Sequence, residues 1–320
     1  MYLGIDLGGI NIAVGLVDEN GKIVKKDSVP TGKLREAGEI IADMAALCKK
    51  VTEDAGYTLA DVSSIGIGSP GTPDVKEKCI LYTNNIVNFV DVHIEKELQK
   101  YFPGMPVFLE NDANAAAFGE KMAGAAKDLS NVIVMTLGTG VGGGIIIDGK
   151  IYAGFNHAGA ELGHMIIKYD GKECTCGRRG CIEAYASVTA LIEQTKEMME
   201  KHPESKMHEI AKMSGEVNGR TSFDAAKMGD SAAQEVVKQY AQYVGMGVSD
   251  FINIFQPEAV VIGGGISKEG DYLLDPVREF VSNNTYGCNV ANISSPKIIA
   301  AQLGNDAGII GAAMLWTLYK

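Results

Sequence analysis

The sequence contains no run of about 18 apolar residues, so nothing in it reads as a membrane-spanning helix. It also lacks the basic start and apolar stretch of a secretory signal, because Met1-Tyr2-Leu3-Gly4-Ile5-Asp6 leads directly into a strand pattern. A cytoplasmic protein is the expectation. Positive charge is in short supply: 29 Lys and Arg stand against 40 Asp and Glu, a net charge of -11. That balance speaks against nucleic-acid binding, which needs a basic patch to displace phosphate counterions. It leaves nucleotides open, since a site can be cationic locally or recruit a metal. The phosphate-binding motif G-x-x-x-x-G-K-[ST] is missing, and the first glycine turn leads into a strand rather than a helix, unlike a dinucleotide-binding unit. No low-complexity linker interrupts the chain, so its 320 residues are expected to form two close domains with a cleft between them.

Hydrophobic residues make up 46% and charged ones 22%, the balance of a soluble globular protein. Tyr2–Leu7 and Ile12–Val17 read as strands joined by Gly8-Gly9, and Asp18-Glu19-Asn20-Gly21 turns the chain into a third strand, Lys22–Val29. Helical spacing follows from Leu34 to about Ala55. Ser64–Gly68 and Pro106–Leu109 read as strands, Asp91–Tyr101 and Asp112–Met122 as helices. The opening pattern then recurs about 130 residues on: Val132–Leu137, the turn Gly138-Thr139-Gly140, Gly142–Ile147, and Asp148-Gly149. This points to a duplicated α/β architecture. Beyond Cys181 the chain is mainly helical, with Ser187–Lys201 and Ala232–Phe255 longest, then strand Ala259–Ile262 and a closing helix Asn305–Leu318. The expected division is residues 1–112 with 305–320 in a smaller domain, and 113–304 in a larger one.

Three glycine turns each end a strand. Gly8-Gly9, after Asp6, lets backbone amides approach phosphate oxygens, and Asp6 can hold Mg2+ through water. Gly138-Thr139-Gly140 offers amides and a hydroxyl to further phosphates, and Gly263-Gly264-Gly265 a flat surface for an adenine ring. Six cysteines are present, and three fall in Cys174-Thr175-Cys176-Gly177-Arg178-Arg179-Gly180-Cys181. In an unsecreted chain that clustering favours metal over disulfides. His164 upstream completes a closed set for structural Zn2+, with His157 and His93 as rival fourth ligands. Cys48, Cys79 and Cys288 read as ordinary thiols. Glu110-Asn111-Asp112-Ala113-Asn114-Ala115-Ala116 lies at a strand-to-helix junction, where Asp112 can take the proton of a hydroxyl that receives phosphate. An aspartate there also serves simply as a helix N-cap. Glu161 and Glu183 bracket the cysteine segment and suit sugar hydroxyls.

Together these residues resemble the ROK family of repressors and sugar kinases, and within it the bacterial glucokinases. The carrying motifs are C-x-C-x4-C-x-E at Cys174–Glu183, Glu161-Leu162-Gly163-His164, and the segment around Asp112. The resemblance implies the actin-like, ribonuclease-H-like pair of α/β domains and an ATP- and Mg2+-dependent hexose kinase, with glucose the first choice. N-acetylmannosamine, N-acetylglucosamine, fructose and allose are the other candidate sugars. It implies Asp112 as base, with Gly71, Asn85, Asn111, Asp112, Glu161, His164 and Glu183 on the sugar. Asp6, Gly8, Gly9, Asn11, Gly138, Thr139, Gly140, Gly264 and Gly265 would serve ATP, and His164, Cys174, Cys176 and Cys181 would hold zinc. A homodimer is expected. Three departures stand out: Ile10 where the family has Thr or Ser, Gly159-Ala160 in place of Ala-Gly, and no Gly-Trp pattern in 85–92. The rival readings are a sugar-binding protein without catalysis, and a repressor, which would carry a DNA-binding domain ahead of the first turn.

Overall fold

The structure is a computed structural model, which describes residues 1–83, 86–287, 290 and 295–319. The expected sugar residue Asn85 and the thiol Cys288 lie outside the described residues.

Tyr2–Leu7 (β1) pairs antiparallel with Asn11–Val17 (β2), and β2 with Ile23–Pro30 (β3). Ala37–Asp54 (α1) buries Ile40, Ile41, Met44, Leu47 and Val51, the stripe its helical spacing predicts. Ser64–Ser69 (β4) follows, then the short strands Thr72–Asp74 (β5), Cys79–Tyr82 (β6) and Val92–His93 (β7), which form a sheet of their own. Only Ile94–Leu98 (α2) is α-helical in the segment expected to be a helix over Asp91–Tyr101. Tertiary pairing overrides the helical spacing there: Val92 and His93 bond to Ile80 and Cys79, and Asp91 takes a positive φ of 54°. Val107–Asn111 (β8) runs directly into Asp112–Ala123 (α3). The first main sheet has the order β3-β2-β1-β4-β8, with β1, β4 and β8 parallel.

Val132–Leu137 (β9), Val141–Ile147 (β10) and Lys150–Ile151 (β11) repeat the opening pattern. The helices Glu183–Ala186 (α4), Val188–Lys201 (α5), Met207–Ser214 (α6), Thr221–Lys227 (α7) and Ser231–Phe255 (α8) follow. Ala259–Gly263 (β12), Asp271–Asn284 (α9), Lys297–Ala300 (β13) and Ala307–Met314 (α10) complete the chain. The second main sheet has the order β11-β10-β9-β12-β13, matching the first strand for strand. Among the described residues no helix is long and apolar enough to cross a membrane.

The chain forms two compact units, 1–132 with 144–160 and 302–320, and 133–143 with 161–301. These boundaries differ from 112/113 and 304/305 because α3 lies backbone to backbone against α10. A Cβ at Gly311 would collide with the Ala115 carbonyl, and one at Gly119 with that of Ala307. Such contact needs the alanines and glycines of both helices. Buried Glu120 ties the entry to α10 by accepting from the amides of Gln302 at 3.0 Å and Leu303 at 2.8 Å. The C-terminal helix is α-helical only over α10; a 3₁₀ turn, Leu315–Tyr319, follows it.

Candidate active site

In the first unit the carboxyl ends of parallel β1, β4 and β8 bring the expected base and phosphate residues together. Asn111, at the end of β8, is the N-cap of α3: its Oδ1 accepts from the amides of Ala113 at 2.9 Å and Asn114 at 3.2 Å. The cap is therefore Asn111 and not Asp112, which is the first helical residue. Asn111 Nδ2 also donates to the Gly71 carbonyl at 3.1 Å, so these two expected sugar residues are neighbours. Asp6, at the end of β1, faces Asp112 closely enough for like-charge repulsion. Burial, and then the Asp112 charge, push the Asp6 carboxyl up to about 6. Burial likewise raises Asp112 and Glu110 above the ordinary carboxylate range. Two half-buried carboxylates with shifted titration, Asp6 and Asp112, suit proton abstraction beside a divalent cation. Gly8 begins the turn to β2; its amide donates to the Asn11 carbonyl at 2.9 Å, and its carbonyl accepts from the Thr31 hydroxyl at 2.6 Å. Ile10, at the turn's tip, is 81% exposed. Asn11, which opens β2, is also exposed.

In the second unit the ligand atoms of His164, Cys174, Cys176 and Cys181 lie within 4.8 Å of one another. His164 Nδ1 stands 3.6 Å from Cys174 Sγ, and Cys176 Sγ 3.7 Å from Cys181 Sγ. Bonds of about 2.3 Å to sulfur and about 2.0 Å to nitrogen put the ligand atoms of tetrahedral Zn2+ roughly 3.3–3.8 Å apart, so the set fits that ion. The loop is shaped for it. Cys174 N–H donates to the Arg178 carbonyl at 2.8 Å, Gly177 N–H to the Cys174 carbonyl at 2.9 Å, and Arg178 Nη2 to the His164 carbonyl at 2.8 Å. Hydrogen bonds from Arg178 lower the Cys176 thiol to about 6, toward the thiolate a metal needs. The rival ligands fall elsewhere: His93 groups with Cys79 and Asp91, and His157 stands beside Glu110. Glu161 is exposed and precedes the 3₁₀ turn Leu162–His164. That turn crosses β10 so tightly that Gly163 leaves no room for a Cβ against the Val141 carbonyl.

The second glycine turn is fastened to the same region. Val188 N–H, opening α5, donates to the Gly138 carbonyl at 2.8 Å, and the Thr189 hydroxyl to the Thr139 carbonyl at 2.8 Å. Thr139 itself is exposed. Gly264, with φ 86°, lies against Leu137 at the end of β9, and Gly265 opens a 3₁₀ turn. Glu183 is not a free acceptor: its carboxylate takes the Val141 amide at 3.0 Å and the Thr175 hydroxyl at 2.7 Å. Sequence reasoning missed Thr31, Thr175 and Thr189. Each bonds a group 8 to 50 residues away, and no local pattern marks such a partner.

The ROK family model matches residues 2–318. A glucokinase from Thermotoga maritima is 38% identical over 315 residues, covering 98% of this chain and 96% of its own. The crystal structure of a ROK family glucokinase from Streptomyces griseus, in complex with glucose and AMPPNP, is similar with a TM-score of 0.80. It is 36% identical, and the match covers 98% of each chain. A xylose repressor from Bacillus spizizenii is 31% identical over 317 residues, which cover 98% of this chain and 76% of the repressor.

Proposed function

Because this chain belongs to the ROK family, we propose that it transfers the γ-phosphoryl group of ATP to a hydroxyl of glucose. The single observation that carries the chemistry is Asp112. It sits at the start of α3, half-buried, above its ordinary titration range, and beside a second carboxylate at the end of β1. As the sugar oxygen bonds to the γ-phosphorus and the bond to the ADP oxygen breaks, the hydroxyl proton passes to Asp112. A raised pKa makes the Asp112 carboxylate a stronger base. Asn111 holds Gly71 in place, and the Ala113 amide fixes the Asp112 carboxylate by donating to its Oδ1 at 2.8 Å. Mg2+ would supply charge neutralisation for the phosphates, with Asp6 as its residue on the protein.

In the second unit, Glu161, Glu183 and His164 are the proposed sugar residues. His164 turns Nδ1 to the cysteines, which leaves Nε2 for a hydroxyl. The turns at Gly138–Gly140 and Gly264–Gly265 are the proposed nucleotide elements, with Gly8, Gly9 and Asn11 in the first unit. Zn2+ held by His164, Cys174, Cys176 and Cys181 would fix the loop and take no part in the reaction. One zinc per chain should be found by elemental analysis, and Cys176→Ser should lose it together with thermal stability; zinc-free native protein would refute the assignment. A functional division into residues 1–112 with 305–320 and 113–304, a cytoplasmic setting and a homodimer complete the proposal.

The test is ADP release from Mg-ATP across a panel of hexoses. Glucose should give the highest kcat/KM; preference for an N-acetylhexosamine, fructose or allose would move the chain to another sugar. Ile10, exposed at a turn where the family carries a hydroxyl, favours a second reading, a sugar-binding protein without catalysis. Sugar binding with no ADP release from any hexose would select it.

A further inference from the structure

The Glu183 carboxylate joins two loops that sequence reasoning treats separately. Oε2 accepts from the amide of Val141, which closes the second glycine turn, at 3.0 Å. Oε1 accepts from the hydroxyl of Thr175, which stands between two cysteines of the metal loop, at 2.7 Å, and lies a longer 3.6 Å from Cys174 Sγ. Gly140 lies so close to Oε2 that any side chain there would meet the carboxylate. The turn's other face is fixed by Val188 and Thr189 at the start of α5. With one oxygen on each loop, the carboxylate is a strut between them.

We propose that Thr175 is a positioning residue: it orients Glu183, and through Glu183 it sets the turn 138–141, so that the cysteine loop governs nucleotide affinity as well as the sugar contact. An ionised carboxylate has about four acceptor sites, and bonds from Thr175 and Val141 engage one oxygen each. Both oxygens are thereby aimed, and the unused lone pairs point in fixed directions. Without the Thr175 hydroxyl, Glu183 regains rotamer freedom, and the Val141 amide loses a charged acceptor held in place. The bond is exposed, so its loss should be felt as a moderate change rather than a collapse.

The inference rests on reading the turn as a nucleotide element, and the experiment separates the two. Zinc-loaded full-length wild type, Thr175→Val and Thr175→Ser are compared for zinc content, for Mg-AMPPNP affinity without sugar, and for glucose kinetics. Valine keeps the shape and removes the donor, whereas serine keeps the donor. Thr175→Val should retain its zinc, weaken Mg-AMPPNP binding about three- to tenfold, and lower kcat/KM for glucose by a similar factor. Thr175→Ser should stay within about twofold of wild type. Valine values within twofold of wild type, a serine variant as impaired as the valine one, or loss of zinc from Thr175→Val would each overturn the proposal. If wild type binds AMPPNP but phosphorylates no hexose, the kinase reading falls, and Thr175 is judged on AMPPNP affinity alone. If wild type binds no AMPPNP, the turn loses its role and the inference falls with it.

Discussion

The two main sheets have the same strand order, yet their glycine turns differ in what they present. Each turn joins the first two strands of its sheet across three residues, Gly8-Gly9-Ile10 and Gly138-Thr139-Gly140. In each, the first glycine's amide bonds back, to Asn11 at 2.9 Å and to Gly140 at 3.0 Å. In each, a threonine hydroxyl from elsewhere grips a turn carbonyl, Thr31 on Gly8 and Thr189 on Thr139. The backbone plan is duplicated, but the side chains have parted. The first turn ends a strand bearing Asp6 and has exposed Ile10 at its tip, while the second has exposed Thr139 and a carboxylate, Glu183, on its amide. On the proposed reading, the first copy joins base and cation chemistry to its phosphate turn, while the second joins its phosphate turn to the frame of the cysteine loop.

The largest test of that assignment is Asp112→Asn. It should fold and bind sugar while kcat falls about 100-fold or more, the scale of a lost general base. Turnover near wild type would remove Asp112 from the chemistry and leave the first copy without its base.

Next comes the cost of holding Asp6. Its carboxyl is raised from 3.8 to about 6, by burial first and by Asp112 second. The fold therefore favours the protonated form; the contribution to stability is whole below about pH 4 and is lost as the pH rises to about 6. In metal- and nucleotide-free protein, Asp6→Asn should raise stability at pH 7 by roughly 1–2 kcal/mol, a value reduced for water reaching a half-buried group. The gain should vanish by about pH 4. Denaturant melts at the two pH values measure it, and an equal effect at both would show that Asp6 titrates normally.

Parts of this arrangement can be read in the sequence, for physical reasons. β1 and β9 match their expected bounds, since each is an apolar run cut by glycine, and the cysteine spacing marks Cys174, Cys176 and Cys181 as a cluster, beside which the fold sets His164 rather than His157 or His93. Strands β5, β6 and β7, of 3, 4 and 2 residues, are too short to show a period and exist only through one another. Glu183 as a strut was likewise hidden, because its partners, Val141 and Thr175, lie 42 and 8 residues away. The swapped Gly159-Ala160 pair was visible, but its consequence was not: Ala160 has φ 67°, the left-handed region where a Cβ is strained. Ala160→Gly should raise stability by up to about 1 kcal/mol, the relief being partly offset by the freedom glycine gains when unfolded. A melt showing destabilisation would mean that the methyl group contributes more contact than strain.

The smallest effect bears most directly on the comparison. If the two turns have diverged only at their tips, restoring a hydroxyl to the first should make it behave more like the second. Ile10 is 81% exposed, so replacing it disturbs no core, and the turn's fastening through Gly8, Asn11 and Thr31 uses backbone and a neighbouring hydroxyl. An exposed hydrogen bond to a phosphate that also bonds water is worth about 0.5 kcal/mol net, the low end for such bonds. Ile10→Thr should therefore lower KM for ATP by about twofold, with kcat and stability unchanged. Ile10→Val, which has nearly the same shape as threonine and no donor, should leave KM as it is. A matching gain in both variants would mean that isoleucine merely obstructs the nucleotide, and no gain in either would mean that the first turn does not reach the phosphates.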